Sequence, residues 1–320
     1  MPRILLVKMS SLGDVIHNLP VATDIRRHVP DATIDWVVEE QYTALVAMHP
    51  AVNRVLPIAL RRWRGRLFSG ATWRELGVFY RELRGRDWDA IVETQGLLKS
   101  ALVAKLARGP VYGFGPGTAR EPLASKFYDV TCEFPPDAHK ILRYRSVAAR
   151  ALGYAVAPQI DYGIAPRVPR PGFGAGRYCL AFHSTARTAK LWPEANWVEL
   201  VRLLDRAGHA CILPWGSDQE RTRSERIATA GSRAVVPPLL SLDDMSALVA
   251  GAEFVVGIDT GLMHLAAALA RPVVGIFCDS DPVDACPLGP GPTAYRGQIG
   301  NPPTVAAVAE AIREVAPGLF

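Results

Sequence analysis

Asp14 follows the turn residues Ser10, Ser11, Leu12 and Gly13 in the stretch ILLVKMSSLGDVIHNLP, residues 4–20. A carboxylate at such a position can take a proton from a hydroxyl, so general-base chemistry is the first candidate. A short apolar run ended by a turn reads as a buried parallel strand, and an Asp at a helix start accepts hydrogen bonds from free N–H groups. Asp14 is thereby placed at the carboxyl end of a first strand, where open α/β sheets bind ligands. The helix N-terminus favours its ionised form and lowers its basicity in the same stroke. The plainer alternative is a helix cap. With Gly13 as its one glycine, SSLGD is neither a GxGxxG fingerprint nor a P-loop.

Two further stretches could hold an anionic ligand. In HSTARTAKLWPE, residues 183–194, Thr185, Arg187, Thr188 and Lys190 offer hydroxyls and cations, and Pro193 and Glu194 begin a helix well. Such a strand-end loop can clamp phosphate; an ordinary polar loop is the alternative. In VVGIDTGLMHLAAALARP, residues 255–272, a buried strand delivers Asp259, Thr260 and Gly261 to a helix start. The free N–H groups there suit a diphosphate, and His264 lies on the first turn, as ligand contact or as core histidine. Asp279 and Asp281 spell a DxD that can chelate a divalent cation, but they stand in a Pro-rich loop where Asp commonly serves turns. Cationic side chains already supply diphosphate compensation, so no metal and no cofactor is expected.

The elements around these loops alternate. Apolar runs at 32–40, 52–60, 89–95 and 111–117 read as strands interleaved with helices, and RRWRGRLFSGATW reads as an exposed loop. Prolines and glycines over 156–176 mark a linker. Beyond it, strands at 177–183, 209–216, 234–237, 254–259 and 272–277 alternate with helices, and a last helix runs over 304–315. The fold class is α/β, two Rossmann-like doubly wound halves. The division is 1–155, a linker at 156–176, 177–303, and a terminal helical segment at 304–320.

The chain has 320 residues, of which 49% are hydrophobic, enough for two ordinary cores. No basic leader with an apolar segment stands at the N-terminus and no run approaches the roughly 18 apolar residues of a membrane span, so a cytoplasmic protein is expected. The five cysteines lack CxxC spacing, which argues against a disulfide framework and a zinc site. Arginines crowd the window 54–86, where Glu75 and Glu82 stand among nine of them, which points to an anionic partner or to a solvated helical face.

KMSSLGDVIHNLP, DAIVETQGLLKSALVA, HSTARTAKLWPE, LPWGSDQE and FVVGIDTGLMHLAAAL together resemble the bacterial lipopolysaccharide heptosyltransferases of glycosyltransferase family 9, most specifically their type I branch. The resemblance spans nearly the whole chain. It implies the GT-B fold, two Rossmann-like domains facing across a cleft, and often a C-terminal helix packed back on the first domain. It implies an inverting, metal-independent transfer of L-glycero-D-manno-heptose from ADP-L-glycero-β-D-manno-heptose to the first Kdo of Kdo2-lipid A. Asp14 matches the family's base. Thr185, Arg187, Lys190, Glu220, Asp259, Thr260, Gly261, Leu262 and His264 fall in its donor segments, while Ser10, Gly13, Arg61, Arg62, Arg64, Lys99, Arg120 and His139 are acceptor-side candidates. TARTAK departs from the family's TTRDDK at Ala186, Thr188 and Ala189, and Ser280, Asp281 and Pro282 stand for its TDP. Arg61, Arg62, Arg64 and Arg66 with Trp63 would touch an anionic inner leaflet, making the enzyme peripheral on the cytoplasmic membrane face. Two alternatives stand beside this, heptosyltransferase II and a nucleic-acid-binding protein using the arginine cluster; the second lacks a reading motif or aromatic stacking array.

Overall fold

A computed structural model describes residues 1–135, 137–172 and 176–318, with the Asp284 side chain left aside. The chain forms two compact units, Met1–Ile164 and Ala165–Phe320. Their division falls inside the stretch expected as linker, of which residues 173–175 lie outside the described residues, as do 319–320 of the terminal segment.

The first unit runs β1 (Arg3–Val7), α1 (Leu12–His28), β2 (Thr33–Glu39), α2 (Thr43–Ala47), β3 (Arg54–Ile58), α3 (Leu60–Arg64), α4 (Gly70–Arg84), β4 (Ala90–Glu93), α5 (Leu98–Leu106), β5 (Val111–Phe114), β6 (Val130–Cys132) and α6 (Lys140–Leu152). Its strands are all parallel in the order β3-β2-β1-β4-β5-β6. This is the 3-2-1-4-5-6 order of dinucleotide-binding sheets, and the order reverses between β1 and β4. Ile4, Leu5, Leu6 and Val7 are fully buried because both faces of a parallel sheet are covered by helices.

The second unit repeats the plan with β7 (Tyr178–Phe182), α7 (Glu194–Arg206), β8 (Ala210–Ile212), α8 (Asp218–Ala228), β9 (Ala234–Val235), α9 (Leu242–Ala250), β10 (Val255–Ile258), α10 (Gly261–Ala268), β11 (Val273–Ile276), α11 (Pro282–Ala285), β12 (Thr293–Arg296) and α12 (Val305–Val315). The parallel order β12-β11-β10-β7-β8-β9 is the same topology, reversing between β7 and β10. Each sheet therefore has a crevice at the carboxyl ends of its two central strands, and the candidate loops 8–14, 183–190 and 259–264 all end there.

One expectation needs correction. RRWRGRLFSGATW is not one exposed loop: residues 60–64 form α3, and Trp63 is 5% exposed, packed with Leu56, Ile58 and Phe79, its indole N–H donating to Glu75 Oε2 at 2.7 Å. A buried indole cannot lie at a membrane surface. The short β6 and β12 carry no long apolar run because they are edge strands with partly exposed side chains. Helix α12 places Val308, Ala311 and Ile312 in the core of its own unit, beside Trp197 and Ile276, and covers β11 and β12.

Candidate active site

In the first unit Asp14 sits in the opening turn of α1, 14% exposed at its side chain. Its Oδ2 accepts the Ser11 N–H at 3.2 Å and the Ser11 hydroxyl at 3.1 Å, and Arg120 Nη1 stands 3.7 Å away. Burial alone would raise its pKa, but Lys8, Lys140, the Ser11 N–H and Arg120 outweigh it and hold the carboxyl below the usual aspartate range. The helix start is thus one of several contributors to the anion; buried and neighbouring cations do most of the work.

Lys8 is the residue the motif reading passed over. Directly after β1 and 1% exposed, its ammonium donates to Thr94 O at 2.7 Å across the β1/β4 crevice and lies 3.7 Å from the centre of the Tyr144 ring. Burial brings its pKa down to about 8 even though Asp14 and Glu93 pull it upward. The one local signal was a lysine inside the otherwise apolar run ILLVKM. Tyr144, whose phenol donates to Asp14 Oδ1 at 3.2 Å, comes from α6, 130 residues away, and no spacing in the sequence announces it.

The crevice is braced by its own strands. Gln95 Oε1 accepts the N–H groups of Met9 at 2.8 Å and Ser10 at 3.3 Å, fixing the loop that leads to Asp14. Gly96 has φ +67°, and a Cβ there would meet the Arg120 backbone N at 3.1 Å, so glycine lets the Arg120 loop close on β4.

The acceptor-side candidates divide. Arg120 stands beside Asp14, and buried Ser10 and half-buried Gly13 lie in the loop and first turn next to it. Arg61 and Lys99 act on buried Glu39 at the end of β2, whose carboxyl is raised chiefly by burial. Arg64 is exposed. Arg62 is held by Glu40 and Glu75, each at 2.9 Å, and ties α3 to its surroundings. His139 caps α6, its Nδ1 accepting the Ile141 N–H at 3.3 Å, and its ring meets His17 edge-on at 5.5 Å.

In the second unit, Lys190 and Asp259 meet across the β7/β10 crevice in a direct ion pair, with His264 Nε2 3.8 Å from the other carboxylate oxygen. Burial would raise the Asp259 pKa, yet His264 and Lys190 hold it well below the usual carboxylate range. The pair orients the ammonium, which keeps donors for a further anion. Thr260, Gly261 and Leu262 line the start of α10, half-buried, while Thr185 is half-buried and Arg187 exposed on the loop opposite. Glu220 Oε2 accepts the Gly216 N–H at 2.7 Å, at the start of α8. Asp281 caps α11, accepting the Val283 N–H at 2.9 Å, the turn role that competes with the DxD reading.

Two parallel sheets of nucleotide-binding order, each with charged side chains at its topological switch, are the architecture of the GT-B glycosyltransferases. The model of glycosyltransferase family 9 (heptosyltransferase) matches residues 77–311, and the chain belongs to that family. Lipopolysaccharide heptosyltransferase 1 of Escherichia coli K12 is 43% identical over 284 residues, 88% of this chain and 89% of that protein. Heptosyltransferase 2 of the same strain is 25% identical over 310 residues, 89% of this chain and 85% of that protein. Among solved structures, E. coli heptosyltransferase WaaC with ADP superposes with a TM-score of 0.91 at 40% identity, over 98% of this chain and all of that one. The same enzyme with ADP-2-deoxy-2-fluoro heptose gives 0.88, also at 40% identity, over 98% of this chain and 99% of that one. The chain is therefore an enzyme, a heptosyltransferase.

Lys190→Ala is expected to weaken ADP binding by about 10- to 100-fold, the size of a lost charged hydrogen bond. Calorimetric titration with ADP measures this, and an unchanged dissociation constant would remove Lys190 from the clamp.

Proposed function

We propose that this enzyme acts in lipopolysaccharide inner-core synthesis, moving L-glycero-D-manno-heptose from ADP-L-glycero-β-D-manno-heptose to the 5-hydroxyl of the first Kdo of Kdo2-lipid A with inversion. The observation that carries the reading is Asp14, ionised and ringed by Lys8, Lys140 and Arg120 at the switch point of the first sheet. A base for a hydroxyl and an attractive field for an anionic sugar coincide there. The likeness to a heptosyltransferase 1, stronger than to a heptosyltransferase 2, and to a structure holding an ADP-heptose analogue supports the donor and the acceptor.

The chemistry is a single displacement. The acceptor oxygen attacks the anomeric carbon as its proton passes to Asp14, and the bond from that carbon to the β-phosphate oxygen breaks, leaving its electrons on ADP. Inversion needs one carboxylate and no covalent sugar intermediate. Lys190, held by Asp259, and the N–H groups opening α10 offset the charge that grows on ADP. An assay with ADP-heptose and Kdo2-lipid A, with and without chelator, tests the reading. A heptosylated Kdo product of α linkage at equal rate in both is expected; no product, or product only with divalent cation, would overturn it.

No helix among the described residues is long and apolar enough to cross a membrane. The turn between α3 and α4 and the first turn of α4 nevertheless expose Leu67, Phe68 and Trp73 at 50%, 107% and 62%, with Arg61, Arg64, Arg66 and Arg74 exposed around them. Apolar tips within a cationic rim suit the anionic membrane face that presents a lipid acceptor. Arg61, Arg64 and Arg66 changed together to Ser should weaken sedimentation with anionic vesicles about 100-fold, at about 1 kcal/mol per arginine. Binding that survives the triple change with Phe68→Ser added would remove the membrane contact from this turn.

A further inference from the structure

The two oxygens of Asp14 meet different partners. Oδ2 accepts both the N–H and the hydroxyl of Ser11, at 3.2 and 3.1 Å, and faces Arg120 at 3.7 Å. Among the described residues Oδ1 accepts from the Tyr144 phenol, at 3.2 Å. Each carboxylate oxygen offers about two acceptor directions. Among the described residues those of Oδ2 are filled and one on Oδ1 is open.

We propose that Tyr144 is the positioning residue of the base: its phenol holds Oδ1 from one side, so that the remaining lone pair of Oδ1 is the one that receives the acceptor's proton. The inference rests on Asp14 being the base. The Tyr144 ring is itself held in place. Its side chain is buried, at 6% exposure, and the Lys8 ammonium caps its ring. The next residue on α6, Arg145, grips Asp24 of α1 through two hydrogen bonds of 2.6 and 3.0 Å, which fixes the register of the helix carrying Tyr144 against the helix carrying Asp14. Burial and the adjacent Asp14 raise the Tyr144 pKa well above its ordinary value, so the phenol remains a donor through the working pH range. The charges facing Asp14 are Lys8 after β1, Lys140 on α6 and Arg120 after β5, with Arg143 acting on the phenol and Glu93 on Lys8. None of these is altered by removing the phenol oxygen.

Tyr144→Phe removes that oxygen and keeps the ring under Lys8. Because a hydrogen bond to the ionised carboxylate favours it, its loss raises the Asp14 pKa. The acid limb of kcat, which reports the enzyme with substrates bound, is expected to move up by about half to one pH unit. Turnover is expected to fall about tenfold from the freed carboxylate rotor while KM for ADP-heptose stays at the parent value. A variant with parental kcat and an unmoved limb would overturn the assignment. Asp14→Asn, assayed in parallel, separates the two readings: near-parental activity there would fell the base itself, whereas an inactive Asp14→Asn beside an unaltered Tyr144→Phe would fell the role of Tyr144 alone.

Discussion

Asp14→Ala is expected to lower kcat by about 10² to 10⁴, the range of a lost general base, while ADP binds as it does to the parent. The donor contacts proposed here, Lys190, Asp259 and the start of α10, belong to the other unit, so the base can be removed without touching them. The change also removes the acceptor of the Ser11 N–H, a capping contact whose loss costs about 1 kcal/mol of stability. A modest drop in melting temperature therefore accompanies a large drop in turnover, and the two are separated by Asp14→Asn, which keeps an oxygen for Ser11 but has no basicity. Single-turnover measurement with pre-bound donor reports the chemical step directly. If either variant turns over within a few-fold of the parent, the acceptor proton leaves by another route.

The pH behaviour follows from the same surroundings. Lys8 and Lys140 hold the free-enzyme carboxyl below the ordinary value of 3.8, so Asp14 stays ionised through the physiological range. That same stabilisation makes it a weak base in the open site. Under the proposed mechanism an acceptor bound over it would exclude water and bring its own negative charge near the cations, and both changes would raise the carboxyl's affinity for a proton. The ring of cations keeps Asp14 ionised, and in the proposed mechanism the acceptor would engage those same cations.

The strand-end placement of Asp14, Lys190 and the Asp259 segment was legible because each follows an apolar run and precedes a helix start, and a doubly wound sheet forces such loops to its carboxyl edge. What the sequence concealed lay in long-range contacts. Tyr144 reaches Asp14 from a separate helix, and the Lys190–Asp259 pair joins residues 69 apart. Trp63 looked like an interfacial aromatic because arginines flank it, yet a single helical turn at α3 rotates it inward while Phe68 and Trp73 take the exposed positions. Strands β6 and β12 escaped notice because edge strands need little apolar sequence.

Lys8→Met is expected to raise stability and lower turnover in one substitution. The unfolded chain holds the lysine proton up to about 10.5 and the folded chain only to about 8, so between those values the unfolded state binds more protons and stability rises with pH. Below pH 8 the folded protein bears the full cost of a charged amine in its core, roughly 3 kcal/mol for a displacement of that size. Methionine fills a similar volume without the charge but forfeits the hydrogen bond to Thr94 O and the cation over the Tyr144 ring, together about 1 to 2 kcal/mol. The variant should therefore be more stable by about 1 to 2 kcal/mol at pH 7, and the advantage should vanish near pH 10.5; denaturant unfolding at both values measures it. An advantage that does not change with pH would mean that the buried charge is not its source. Turnover should fall about 10- to 100-fold, because Lys8 is foremost among the cations that keep Asp14 ionised, and it also pins the ring that orients Asp14. A buried amine that costs stability and is needed for rate is a group placed for chemistry. A variant both more stable and fully active would make Lys8 incidental and would leave the ionisation of Asp14 to Lys140, Arg120 and the helix start.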